Sequence, residues 1–99
     1  MRSFPELKRE ADQRLIDFLK IELKLGFTFV DLAEQHRAEK DRAKSLENAR
    51  KAVETIRRFQ GRIEDYPEWT QIHSETNELE KLLSKKPHFD IANRGRHTA

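Results

Sequence analysis

Four histidines, His36, His73, His88 and His97, and eighteen Asp and Glu side chains are the groups here with acid–base or ligand chemistry. A di-iron site inside a helical bundle needs Glu-x-x-His on facing helices. The residues three before these histidines are Ala33, Thr70, Lys85 and Arg94, none of them a carboxylate. A zinc-protease helix needs His-Glu-x-x-His, and Glu75 two residues after His73 does not supply it. No arginine precedes any histidine at the short fixed distance that some helical ribonucleases use. Paired acids occur at Glu6/Glu10, Glu75/Glu78 and Glu64/Asp65, but general acid–base work requires a raised pKa and hence burial. The helical pattern puts these pairs on solvent faces. With no cysteine there is no thiolate ligand, no cysteine nucleophile and no disulfide. Ser45, Ser74 and Ser84 lack a glycine elbow, and three glycines in the whole chain make no phosphate-cradling loop. The expectation is a protein that is not an enzyme, with no catalytic residue, no cofactor and no metal.

Cations offer a different chemistry. Arg37, Lys44, Lys51 and Arg58 recur every seven residues, with Lys40 and Arg62 nearby, so one helix face can present a row of positive charge to a polyanion. No aromatic side chain interleaves the row for base stacking, and Glu47 and Glu54 interrupt its field. Non-specific nucleic-acid binding through this row is therefore the alternative reading, and nucleic acid is not the expected partner.

These groups must be carried by helices. Charged residues are 38% of the chain against 35% hydrophobic, a balance that suits helices with broad solvated faces. Ninety-nine residues have enough apolar surface for one core. Ser3-Phe4-Pro5-Glu6 reads as a helix start with Ser3 as N-cap. From Pro5 to Gln35 apolar residues recur in steps of three and four. One stripe runs through Leu7, Ala11, Leu15, Ile16, Leu19, Leu23, Gly26, Phe27, Val30 and Ala33. A second contains Phe18, Leu25, Phe29 and Leu32. Gly26 either breaks the helix or marks a close approach of another backbone. Asp41 is the expected cap of a second helix carrying Ala43, Leu46, Ala49, Val53, Ile56 and Ile63. Gly61 and Asp65-Tyr66-Pro67 end it and open a third, with Trp69, Ile72, Thr76, Leu79, Leu82 and Leu83 on one face. Lys85-Lys86-Pro87 stops that helix, and residues 85–99 form a tail expected to be mobile.

Charge is segregated along this order. Residues 37–63 hold nine Lys/Arg and four Asp/Glu, a net +5, whereas residues 64–84 hold one and six, a net −5. The opposed signs predict that the second and third helices are neighbours, with Arg57, Arg58 or Arg62 near Glu64, Asp65 or Glu68 at the turn and other pairs along the seam.

Phe29-x-x-Leu32-Ala33-x-x-His36 recurs forty residues later as Trp69-x-x-Ile72-His73-x-x-Thr76, with Ala49-x-x-x-Val53-x-x-Ile56 between them. Over residues 29–76 this resembles the helical hairpin of tetratricopeptide repeats, whose first helix has an aromatic, a leucine and a small residue at those offsets. The chain departs from that family in lacking the repeat-closing proline, in its spacing, and in His73 standing at the small-residue position. The resemblance implies helical-hairpin packing and no ligand-binding residue.

The expected structure is all-α: a three-helix up-down-up antiparallel bundle over residues 1–84 with a long first helix. Leu25 to Val30, an uncharged run of six residues, is far too short to span a bilayer, and residues 1–20 have no apolar signal core, so the expected location is the cytoplasm. The expected role is a small protein-interaction or self-association module. At 1.5 Å per residue the first helix is about 46 Å long and the third about 27 Å, so the shorter cannot cover the longer. Phe18, Leu25, Gly26, Phe29 and Leu32 are then the candidate interface, and a homodimer with first helices antiparallel is the simplest contact.

Overall fold

The computed structural model describes residues 3–85. These form three α-helices and no strand: α1 (Phe4–Gln35), α2 (Glu39–Phe59) and α3 (Glu68–Ser84), with a 3₁₀ turn at Gln60–Arg62 between the last two. The tail expected at 85–99 lies outside the described residues apart from Lys85.

Ser3 does cap α1, its hydroxyl accepting from the Glu6 amide at 3.4 Å, with Pro5 in the first turn. The other two starts differ from expectation. Helix α2 opens at Glu39 with Ala38 as its N-cap and no side-chain cap, and Asp41 lies inside the first turn. Acids at Glu39 and Asp41 face the positive end of the helix dipole there, which does the stabilising work a cap would otherwise do. Helix α3 opens at Glu68, with Pro67 as N-cap in helical dihedrals.

Three residues join α1 to α2, and two side-chain contacts tie them. His36 Nε2 lies 3.1 Å from Ser45 Oγ, and Arg42 donates to the His36 carbonyl at 3.0 Å. The two helices form the most extensive pairing in the molecule, and α3 returns across both, giving the up-down-up order. The core combines Ile16, Leu19, Leu23 and Val30 of α1 with Leu46, Ala49, Val53 and Ile56 of α2, then Ile63 and Ile72, Leu79 and Leu83 of α3.

Helix α1 runs unbroken through Gly26. A Cβ at this position would stand 2.5 Å from Leu79 Cδ2 and 3.4 Å from the Ala52 Cβ, so the missing side chain is the space that lets α3 and α2 close onto α1. Gly26 is therefore part of the bundle core and not of an outer interface. The close approach that a mid-helix glycine permits is made within the chain.

Candidate functional site

The face of α1 turned away from the bundle is the feature on which this structure departs most from an ordinary small domain. From Phe4, alternating steps of three and four residues reach Leu7, Ala11, Arg14, Phe18, Ile21, Leu25, Thr28 and Leu32, and all nine side chains are exposed. Every exposed large hydrophobic residue among those described lies on this row: Phe4, Leu7, Phe18, Ile21, Leu25 and Leu32. Ile21 retains 57% of its surface and Phe18 42%. The buried residues of α1, Asp12, Ile16, Leu19, Leu23, Gly26, Val30 and Ala33, follow the same four-and-three alternation. At about 100° per residue the two rows lie on opposite sides of the helix. One row is the bundle core, and the other repeats a and d positions of a heptad and is exposed throughout its described length.

Of the candidate interface, Phe18, Leu25 and Leu32 stand on the outer row. Phe29 does not: it is half-buried and packs on the core, as does Leu15. Ile21, Leu7 and Phe4 belong to the row but were not among the candidates. Leu7 and Ala11 were expected on the inner stripe and are exposed. Steps of three and four connect residues of either face and seven-residue repeats run along both rows, so only the packing of α2 and α3 against one of them separates the rows.

The first turns of α1 project past the rest of the fold. Phe4 through Arg9 are exposed, and the first buried residue is Asp12, only 1% accessible. Its carboxylate closes the end of the bundle. Oδ2 accepts from Lys8 Nζ at 2.8 Å and from the Tyr66 hydroxyl at 2.7 Å, while Arg62 Nη2 lies 3.6 Å from Oδ1. The hydrogen bond from Lys8, then that from Tyr66, holds the Asp12 carboxyl below the ordinary range against the opposing effect of burial. The same bonds raise Tyr66 and Lys8 above their usual values. A carboxylate kept ionised and saturated with donors is a structural anchor and a poor general base.

A second polar cluster joins α2 to α3. Arg57 pairs with Glu80, donates to Asn77 Oδ1 at 2.7 Å and to Gln60 Oε1 at 3.3 Å, and lies 3.3 Å from His73 Nδ1. The charge pattern thus chose the right neighbour, but the pairs differ from those expected at the turn. Arg57 lies on the flank facing α3 and reaches along it, and Arg62 is drawn to Asp12 of α1. His73 stacks 5.0 Å from Trp69, and His36 is held by Ser45. Among the described residues no three His, Asp or Glu side chains gather to hold a metal ion.

Arg37, Lys40, Lys44, Lys51, Arg58 and Arg62 are all exposed, with Glu47 and Glu54 exposed among them. The row of cations is real and mixed in sign. Open grooves also lie between the helices. One, of about 570 Å³, lies between α2 and α3 beside Val53 and Leu83. Another, of about 490 Å³, runs between α1 and α3 past Ile21, Phe27 and Ile72, and adjoins the outer row. No helix of the described residues is long and apolar enough to cross a membrane.

In comparisons with known protein families, characterised proteins and solved structures, nothing matches this chain. The tetratricopeptide resemblance over residues 29–76 finds no support in these comparisons.

Proposed function

We propose that the protein is a small non-enzymatic interaction module whose working surface is the outer row of α1 and whose partner is another protein helix. One observation carries this reading: all the exposed large hydrophobics of the described residues fall on a single heptad row of a single helix. Scattered apolar residues are normal on a protein surface, whereas large apolar residues confined to one heptad row are what a helix-pairing seam requires. Fully burying one such side chain contributes roughly 1.5–3 kcal/mol, so completing the burial of six half-exposed ones contributes on the order of 5–9 kcal/mol. That is comparable with the cost of association, so the seam supports binding only when it is engaged along most of its length. The charges beside it, Lys8, Asp17, Glu22, Lys24 and Asp31, are of both signs, which suits a protein partner better than an anionic membrane surface.

The exposed cations Lys40, Lys44, Lys51 and Arg58 favour a second reading, non-specific contact with nucleic acid through α2. A photo-crosslinking residue placed in turn at Leu25 and at Lys51 separates the two in living cells. Polypeptide adducts are expected from position 25 and not from 51. Nucleic-acid adducts at 51 with none at 25 would reverse the assignment.

A further inference from the structure

We infer that the occupant of the outer row is α1 of a second copy of this chain, running antiparallel about a two-fold axis level with residue 16. This inference rests on reading the row as a protein-docking seam and goes beyond it by fixing partner, direction and register. Length is the first argument. The row runs from Phe4 to Leu32, including two turns that project past the Asp12 anchor, so its occupant must be a helix of comparable length. Among the described helices only α1 has that length, and a two-fold contact lets one surface serve both partners.

Charge supplies the direction. In a parallel, in-register pair, Arg14 would sit in the seam against Arg14 of the other copy, and Asp17 would lie beside Glu22. Like charges at both places oppose that arrangement. In the antiparallel pair centred on residue 16, Leu7 faces Leu25, Ala11 faces Ile21, and Arg14 lies over the ring of Phe18, each across the two copies. The flanks then become self-complementary. Lys8 of one copy stands opposite Glu22 of the other, and Glu10 opposite Lys24. The two Asp17 side chains meet near the axis, each beside Arg14 of the other copy. Lys8 donates to Asp12, yet its side chain is 61% exposed, and an ammonium carries three donors, so it can serve both carboxylates.

Charge also selects the register. Sliding the pair by one step of the repeat, so that Leu7 faces Leu32, sets Asp17 against Lys24 but brings Glu10 against Asp31 and gives up both the Lys8–Glu22 and the Glu10–Lys24 pairs. Sliding it by a further step sets Glu22 against Glu22 and Lys24 against Lys24. The register centred on residue 16 pairs Lys8 with Glu22 and Glu10 with Lys24, sets only the two Asp17 side chains against each other, each beside an Arg14, and leaves Leu32 outside the contact.

Because the chain has no cysteine, single cysteines report this geometry directly. Leu7→Cys and Leu25→Cys chains mixed and oxidised should give a covalent heterodimer, and neither should cross-link with itself. Self-cross-linking of Leu25→Cys would show a parallel pair, and preferential cross-linking of Leu7→Cys to Leu32→Cys a different register; either overturns the inference. Light scattering of the unmodified chain at high micromolar concentration should give twice 11.8 kDa. Phe18→Glu with Ile21→Glu should give one chain's mass with unchanged helical circular dichroism, since both residues lie outside the core. A monomeric wild type, or a folded Phe18→Glu/Ile21→Glu variant that stays dimeric, overturns it as well. A monomer that still yields adducts to a different protein at position 25 would sink the second copy while leaving the docking seam intact.

Discussion

Asp12 is the residue whose ionisation the fold depends on. It is buried, and its two shortest contacts come from side chains that are themselves protonated, the Lys8 ammonium and the Tyr66 phenol. Its carboxyl titrates below the ordinary value of 3.8, so its contribution to stability is fully present above that value and is lost as pH falls through the lowered one. Tyr66 and Lys8 are displaced upward, from 10.0 and 10.5, so their contributions are complete below those values and are lost as pH rises past them. The bundle should therefore hold constant stability across neutral pH and weaken at both extremes. Replacing Asp12 with Asn removes the charge and should cost about 1.5–3 kcal/mol at neutral pH, the range for a hydrogen bond to a charged group. Its denaturation midpoint should also fall less steeply than that of the wild type below the ordinary carboxylate range. Parallel acid limbs for the two proteins in urea titrations would show that Asp12 is not the group responsible.

At the scale of the element, α1 is a helix with two apolar faces, and Gly26 distinguishes their roles. Leu79 is fully buried and fills the space a side chain at 26 would take, with Ala52 behind it. Gly26→Leu must displace both, and overpacking of this kind costs roughly 1–3 kcal/mol or more. Helix propensity returns less than about 1 kcal/mol. A lower melting temperature with no change in oligomeric state is the expected outcome, measured by calorimetry and light scattering. Were Gly26 on an outer interface, the same substitution would alter association and leave the isolated fold untouched. The opposite face behaves in the opposite way, because Phe18 and Ile21 are exposed and lie outside the buried core.

For the whole molecule, electrostatics sorts the surfaces. The basic segment and the acidic segment are neighbours as their charges imply, and the contact is concentrated at Arg57, which gathers Gln60, His73, Asn77 and Glu80. The outer face of α2 is left with cations at Lys40, Lys44, Lys51 and Arg58, broken by Glu47 and Glu54. Opposite charges at three- and four-residue spacing cancel the field a phosphate backbone would feel, and the net charge of the chain is only +2. The wild type should elute from a DNA column below physiological salt. Glu47→Lys with Glu54→Lys completes a row of six cations and should bind strongly, with affinity falling steeply as salt rises. Tight wild-type binding at physiological salt, or no gain in the variant, would show that this interruption is not what sets the affinity.

Helix content, helix order and the neighbouring of α2 and α3 were legible in the sequence, because helical periodicity and charge segregation act over a few residues or along one segment. Ser3 announced the start of α1 by type and spacing alone. The excess length of α1 over α3, and with it an uncovered apolar surface bearing Phe18, Leu25 and Leu32, was legible too. Which residues complete that surface was not. Steps of three and four residues trace either side of α1, so Leu7 read as core and Phe29 as interface until α2 and α3 occupied one side. Gly26 likewise announced a close approach without saying to what, and Leu79 answers it from a helix more than fifty positions later. Asp12 gave no local sign of burial, since its phenol and guanidinium partners lie in the turn before α3. Local patterns set which elements form and how long they are. Contacts between residues far apart in the chain decide which face each element turns inward, and only the tertiary structure contains them.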